Sequence, residues 1–269
     1  MSVVALEPAV FERRFGGLRR LYGVSGAQRI FDAHVVVVGI GGVGSWSVEA
    51  LARSGVARLT LIDLDHVAES NINRQIHALD ATLGQAKAEA MRERIAGIHP
   101  GCEVTVIDEF VGPDNWPALL QGQVPSAVID ACDQVRAKTA MAAWAMGEGV
   151  PLISVGAAGG KRRPEAVEVA DLANTTHDPL LAQLRYRLRK HHGASRTGRI
   201  GVACVFSKES VAPPDASCQI DAVDGSLNCH GYGSAVSVTA TFGLCAAGWI
   251  MNRLAADTKN AAPVDRAKK

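Results

Sequence analysis

No two of the six cysteines, Cys102, Cys132, Cys204, Cys218, Cys229 and Cys245, stand as a C-x-x-C pair. Paired-thiol zinc spacing is therefore absent, no compact disulfide framework is suggested, and reduced thiols in a cytoplasmic setting are expected. The opening MSVVALEPAVFERRFGG has no basic segment ahead of a long apolar run, so a signal peptide is not expected. Net charge is also missing: 28 Lys and Arg face 27 Asp and Glu, which names no polyionic partner for the chain as a whole. No internal repeat is visible. One stretch, 225–252, lacks Asp, Glu, Lys and Arg altogether, and 236–251 is mostly apolar. Ser234, Ser237, Thr239, Thr241 and Gly243 dilute it, so a helix buried in the core or in a subunit interface is expected rather than membrane insertion.

What is present is an ordinary globular composition, 48% hydrophobic and 20% charged over 269 residues, enough for one large α/β domain or two small ones. Strand-like runs at 35–38, 58–62, 103–107, 127–129 and 151–155 alternate with helix-like runs. These are 45–53, with Trp46, Ala50 and Leu51 on its apolar face, then 85–98, 113–121 and 138–146. That rhythm predicts an α/β fold with a doubly wound, mostly parallel, Rossmann-like sheet, preceded by N-terminal helices, over 1–160. After 155 the rhythm breaks into a glycine-rich basic turn (156–164), strands at 166–169 and 201–206, and a helix at 178–192. A loop rich in small polar residues comes next at 211–228 and reads as mobile. Residues 161–269 are expected to form a C-terminal, substrate-side extension of the same domain.

The strand at 35–38 runs into GIGGVGS, where Gly39, Gly41 and Gly44 satisfy G-x-G-x-x-G and Gly42 adds a further small residue. A tight turn into a helix N-terminus is a phosphate site, either for NAD or for a nucleoside triphosphate. Asp63, 19 residues after Gly44, would hold a ribose hydroxyl in both cases. The residues beyond Asp63 distinguish the two ligands. Asn71, Asn73, Arg74 and Lys87 suit the charge and oxygens of a triphosphate, for which a hydride-transfer enzyme has no need. Asp65 reads either as a nucleotide contact or as a helix cap. IDACD supplies Asp130 and Asp133 as candidate carboxylates for a metal.

Together, G-x-G-G-V-G-S, D-x-D-x-V-x-x-S-N-x-N-R-Q, G-Q-x-K and D-x-x-D resemble the ThiF/MoeB-type, ubiquitin-activating-enzyme-like adenylating family. The resemblance implies ATP as co-substrate, with Gly41 at the nucleotide, Asp63 at the ribose, Asn71, Arg74 and Lys87 at the triphosphate and Asp133 on magnesium. It also implies a homodimer in which Arg14, in RRFGGLRRLYG, reaches the other subunit's ATP. ERRFGGLRRLYG, NRQIHAL, HDPL, GVACVFSKE and GYGSAVSVTATFG look like the tRNA threonylcarbamoyladenosine dehydratase branch of that family. Members of that branch use ATP to convert threonylcarbamoyladenosine, next to the tRNA anticodon, to its cyclic form. A sulfur-transfer protein pair is a further expected partner.

The segment from Leu181 to Ser207 fits that reading, with six Lys or Arg residues and no Asp or Glu. Arg185, Arg189 and His192 share one side of a helix, and Arg196 lies just beyond it, so these arginines are tRNA-backbone candidates that Lys161, Arg162 and Arg163 could extend. Cys204 reads as a small hydrophobe and Cys229, beside His230, as the more reactive thiol. No zinc is implied, while carbonyls of the 156–160 loop could seat an alkali cation. Two other functions share parts of this pattern: adenylation of the C-terminus of a ubiquitin-like or sulfur-carrier protein, and an NAD-dependent oxidoreductase.

Overall fold

The computed structural model describes residues 6–213 and 232–256. Seven strands, β1 (His34–Val38), β2 (Arg58–Ile62), β3 (Glu103–Ile107), β4 (Ala127–Asp130), β5 (Leu152–Val155), β6 (Val167–Asp171) and β7 (Ala203–Ser207), form one sheet. Its order is β3-β2-β1-β4-β5-β7-β6, with every pair parallel except β6 against β7. Helices are α1 (Pro8–Phe15), α2 (Gly17–Phe31), α3 (Gly44–Arg53), α4 (Lys87–Ile98), α5 (Val135–Glu148), α6 (Pro179–His191) and α7 (Val236–Ala255).

The uninterrupted β-branched run of β1 is explained by burial on both faces, which parallel sheets require. Val35 and Val37 face one core with Val48 and Leu51 of α3, Met91 and Ile95 of α4, and Phe242 and Ile250 of α7. Val36 and Val38 face the other with Met141 of α5 and Leu181, Leu184 and Leu188 of α6. The uncharged C-terminal stretch is thus α7, packed on α2, α3 and the sheet. Among the described residues no helix is long and apolar enough to cross a membrane.

Two local expectations change. Residues 113–121 hold only a 3-10 turn, Ala118–Leu120, because Pro117 removes a donor from the interior a longer helix would need. On α3 the fully buried apolar residues are Val48, Leu51 and Ala52, while Trp46 and Ala50 are half-buried. Most of the 211–228 loop, together with Cys218, Cys229 and His230, lies outside the described residues.

Candidate nucleotide site

The strand order reverses direction between β1 and β4, and in such sheets the crevice beyond the strands' C-terminal ends at that point takes the ligand. The glycine loop fills this crevice. Gly39 has φ +85°, and a Cβ there would lie 2.9 Å from the Ala131 carbonyl, so the turn after β4 forces glycine. A Cβ on Gly44 would overlap the Gly39 carbonyl oxygen. Gly41 differs: nothing lies closer to its would-be Cβ than Gln75 Nε2 at 3.9 Å. The protein leaves that space open, as a phosphate approaching the backbone requires.

Asp63 directly follows β2 and accepts hydrogen bonds from the Ile40 N–H of the glycine loop and, at 2.8 Å, from Asp65 N–H. Burial pushes its carboxyl above the ordinary value, opposed by the nearby Lys87 charge. The chain then loops out and returns through Val67 N–H to Gln85 O and Lys87 N–H to Asp65 O. This return plants Lys87 at the first turn of α4. Its ammonium is buried (6% exposed) and pairs at 2.6 Å with Asp65, which is largely exposed and caps no helix.

Arg74 lies across the glycine loop. A Cβ on Gly42 would come within 3.2 Å of Arg74 Cγ, and the guanidinium donates to Ser70 O and Asn73 Oδ1, both at 2.8 Å. Trp46, which the sequence placed only in the apolar face of α3, donates from Nε1 to the Arg74 carbonyl at 2.9 Å and so fixes this segment. Asn73 ties it to the start of α7 through Ser234 O, 3.0 Å away. Asn71 is buried in its own turn, accepting from Ala68 N–H at 3.1 Å. Beside the loop, Gln75 Oε1 and Ser45 Oγ are buried without a partner among the described residues. Unpaired buried polar atoms of this kind suit a crevice completed by a polar ligand.

Asp133 stands exposed in the loop between β4 and α5, with no ion-pair partner among the described residues. Asp130 does not face the crevice. It is fully buried, accepts from Ser154 Oγ at 2.6 Å, and pairs with the equally buried Lys138 at 3.1 Å. Burial, the largest influence, works against the Lys138 charge, while Asp130 beside it favours the charge, and the ammonium stands above its ordinary value. Lys138 was legible as the one charge on the buried face of α5, shared with Met141, Ala142 and Ala145.

Arg14 lies elsewhere. Its guanidinium donates to Ile98 O at 2.6 Å, at the far end of α4 from Lys87. The helix length alone separates the two by about 18 Å. Of the basic extension, Lys161 is buried and donates to the carbonyls of His177, Ser207 and Glu209, so it belongs to the interior and not to a surface patch. Arg185 is likewise turned inward, with Nη1 bonded to Leu172 O, Thr175 O and Thr175 Oγ1. Arg189 is partly exposed and bonds Ser195 O at 3.0 Å, while Arg196 is exposed. Burial pushes the Cys132 and Cys204 thiols well above their ordinary values, which disfavours the reactive thiolate at both.

A parallel doubly wound sheet with a glycine loop, a strand-end Asp, and a buried Arg and Lys at the switch point defines a nucleotide-binding α/β protein. The ThiF family model matches residues 14–266, and the chain belongs to that family. The tRNA threonylcarbamoyladenosine dehydratase of Escherichia coli is 46% identical over 95% of this chain and 98% of its own length. The crystal structure of that E. coli enzyme in complex with ATP is similar with a TM-score of 0.83, covering 93% of this chain and 97% of the other. Its complex with AMP covers the same shares with a TM-score of 0.80.

Proposed function

We propose that this chain uses ATP to dehydrate threonylcarbamoyladenosine in tRNA to the cyclic form, by activating the threonyl carboxylate. The observation that carries the reading is the crevice itself. It has open space over Gly41, Arg74 laid across Gly42, and the buried Lys87 at its side, in a chain similar over nearly its whole length to enzymes of that name.

A carboxylate resists attack because oxide is a poor leaving group. Its oxygen attacks the α-phosphorus of ATP, the bond to the bridging oxygen breaks, and pyrophosphate departs with that electron pair. The substrate's own carbamoyl group then attacks the acyl carbon, AMP leaves with the former carboxylate oxygen, and one proton passes to solvent. The sum is loss of one water. Ring closure is intramolecular, so proximity supplies much of the acceleration and no protein nucleophile is needed. Arg74 and Lys87 neutralise the phosphates, and Asp63 holds the ribose. Asp133, a lone exposed carboxylate, fits magnesium, which takes one or two carboxylates and otherwise phosphate oxygens and water. Bound there, the ion would supply charge neutralisation at the phosphates.

Arg14 cannot reach the crevice of its own subunit, which supports a homodimer with Arg14 acting across the interface. Carbonyls of 156–159 accept no hydrogen bond from the described residues and are the seat for an alkali cation, whereas the Gly160 carbonyl is taken by Ala212 N–H. Arg189 and Arg196 remain on the surface for the tRNA backbone. A sulfur-transfer protein pair stays among the proposed partners.

The test is mass spectrometry of nucleosides from threonylcarbamoyladenosine-bearing tRNA after incubation with the protein, ATP and magnesium. Loss of the mass of one water, with release of AMP and pyrophosphate, is expected. An unchanged nucleoside would overturn the reading, and release of ADP and phosphate would replace adenylation by phosphorylation.

A further inference from the structure

Two sequence motifs have no part in the nucleotide crevice: HDPL at 177–180, and GVACVFSKE at 201–209. The fold brings them together. The buried Lys161 ammonium donates to His177 O at 3.0 Å, to Ser207 O at 3.4 Å, and to Glu209 O. Glu209 Oε2 in turn accepts from the backbone N–H groups of Arg162 and Arg163 at 2.9 Å each. Between the joined segments lies a cavity of about 330 Å³, lined by His177, Pro179, Ala182, Arg185, Ser210 and Val211. This volume is at the lower end of the range for small-molecule sites.

His177 has φ +56°, a conformation that side chains other than glycine rarely adopt. The backbone is held there from both sides. Lys161 takes its carbonyl, and the next residue, Asp178, accepts from Leu181 N–H at 2.9 Å and Ala157 N–H at 2.8 Å. The imidazole itself stays exposed at the rim, with Nδ1 3.0 Å from Thr176 Oγ1. Strain concentrated on an exposed side chain at a cavity is a mark of function.

The chemistry of the walls selects the occupant. Arg185 Nη1 and Lys161 have spent their donors on the protein's own oxygens, and the Asp178 carboxylate lies beneath. The Asp178 carboxylate opposes a phosphate there. Pro179, Ala182 and Val211 offer apolar surface, and His177 and Ser210 offer hydrogen bonds, which suits a flat, neutral, hydrogen-bonding ring. The cavity opens beyond the C-terminal ends of β5 and β7, at the same end of the parallel strands as the glycine loop after β1. Two to three strand spacings separate them, about 10–14 Å. A threonylcarbamoyl arm spans about two residue lengths, about 7 Å, so its carboxylate would extend from a ring seated here toward the phosphates of ATP.

We infer that this cavity seats the base of the modified adenosine and that His177 positions it for attack on ATP. The inference rests on the proposed dehydratase reading.

Two variants test it in the full-length protein with threonylcarbamoyladenosine-bearing tRNA, and with the free modified nucleoside as competitor. Ala182→Trp fills the cavity from an exposed position on the first turn of α6. His177→Gly removes the imidazole and suits the positive φ, so its fold is secure. Both are expected to lower kcat/KM for tRNA by about tenfold or more. Both should also abolish competition by the free nucleoside while ATP affinity stays within about twofold of the parent. If the parent protein leaves the nucleoside unchanged, the dehydratase reading falls and this inference with it. If the parent is active and both variants match it, only the base seat is overturned. A parallel loss of ATP affinity also overturns it, by assigning the cavity to the nucleotide.

Discussion

His77 is almost wholly buried, 2% exposed, and both ring nitrogens lack a partner among the described residues. Burial, with the Lys87 and Arg94 charges nearby, pushes its pKa down to about 4 from 6.5. The folded state therefore requires neutral imidazole. Stability linked to His77 is whole above the unfolded pKa of 6.5 and is lost as pH falls toward 4. At pH 4.5 the loss comes to about 2.5 kcal/mol. His77→Leu replaces the ring with an apolar side chain that needs no partner. Urea denaturation at pH 7 and pH 4.5 should show the variant losing about 2.5 kcal/mol less than the parent between the two. Parallel losses would remove His77 as the source. At this scale the sequence is informative about charge and silent about direction. The run from Leu181 to Ser207 displays its arginines plainly. That Arg185 turns Nη1 to Leu172 and Thr175, and Lys161 its ammonium to three carbonyls, depends on where distant backbone oxygens lie. Lys138 is the instructive contrast, since a lysine at the spacing of Met141, Ala142 and Ala145 already signals burial, and hence a partner such as Asp130.

The elements nearest the site were legible because their patterns are local. The runs at 58–62 and 103–107 are the observed β2 and β3, each a short β-branched segment between turn residues. The antiparallel placement of β6 outside β7 was not legible, since pairing partners distant in sequence leave no local pattern. Nor was the fit of α7 against the glycine loop. Gly243, which seemed only to interrupt an apolar run, is the contact point. A Cβ there would overlap Val43 O and lie 2.9 Å from Trp46 Cβ, and Ser47 Oγ donates to the Gly243 carbonyl at 2.9 Å. Trp46 in turn holds Arg74, so displacing α7 disturbs the crevice. Gly243→Ala is expected to cost about 1–3 kcal/mol and to weaken ATP binding. Gly248 lies in the same helix with nothing within 4 Å of its would-be Cβ. Gly248→Ala should instead stabilise by about 0.4–1 kcal/mol and leave ATP binding unchanged. Thermal melts and ATP titrations of the two variants separate close packing from helix propensity. Equal effects would show that α7 does not bear on the loop.

The whole molecule turns on how a single subunit could finish its own site. Lys87 opens α4 and Arg14 binds the carbonyl that closes it, so the two charges lie at opposite ends of that helix. Within one chain, Arg14 would have to cross about 18 Å to meet phosphates at the proposed Lys87 site. A two-fold dimer removes this difficulty, because an isologous interface can bring the surface bearing Arg14 to the partner's crevice without moving either element. In the proposed dimer each active site would draw Arg14 from one chain and Arg74, Lys87 and Asp133 from the other. Arg14→Ala and Lys87→Ala should each be inactive in ATP-dependent cyclisation. When the two are mixed and subunits exchange, mixed dimers hold one crevice with both defects and one with neither. Random exchange makes half of the dimers mixed, so activity should recover to about a quarter of the parent's. Subunit exchange is followed independently with a mass-tagged copy. Exchange without recovered activity would overturn the action of Arg14 across the interface and leave the crevice to be completed within one subunit.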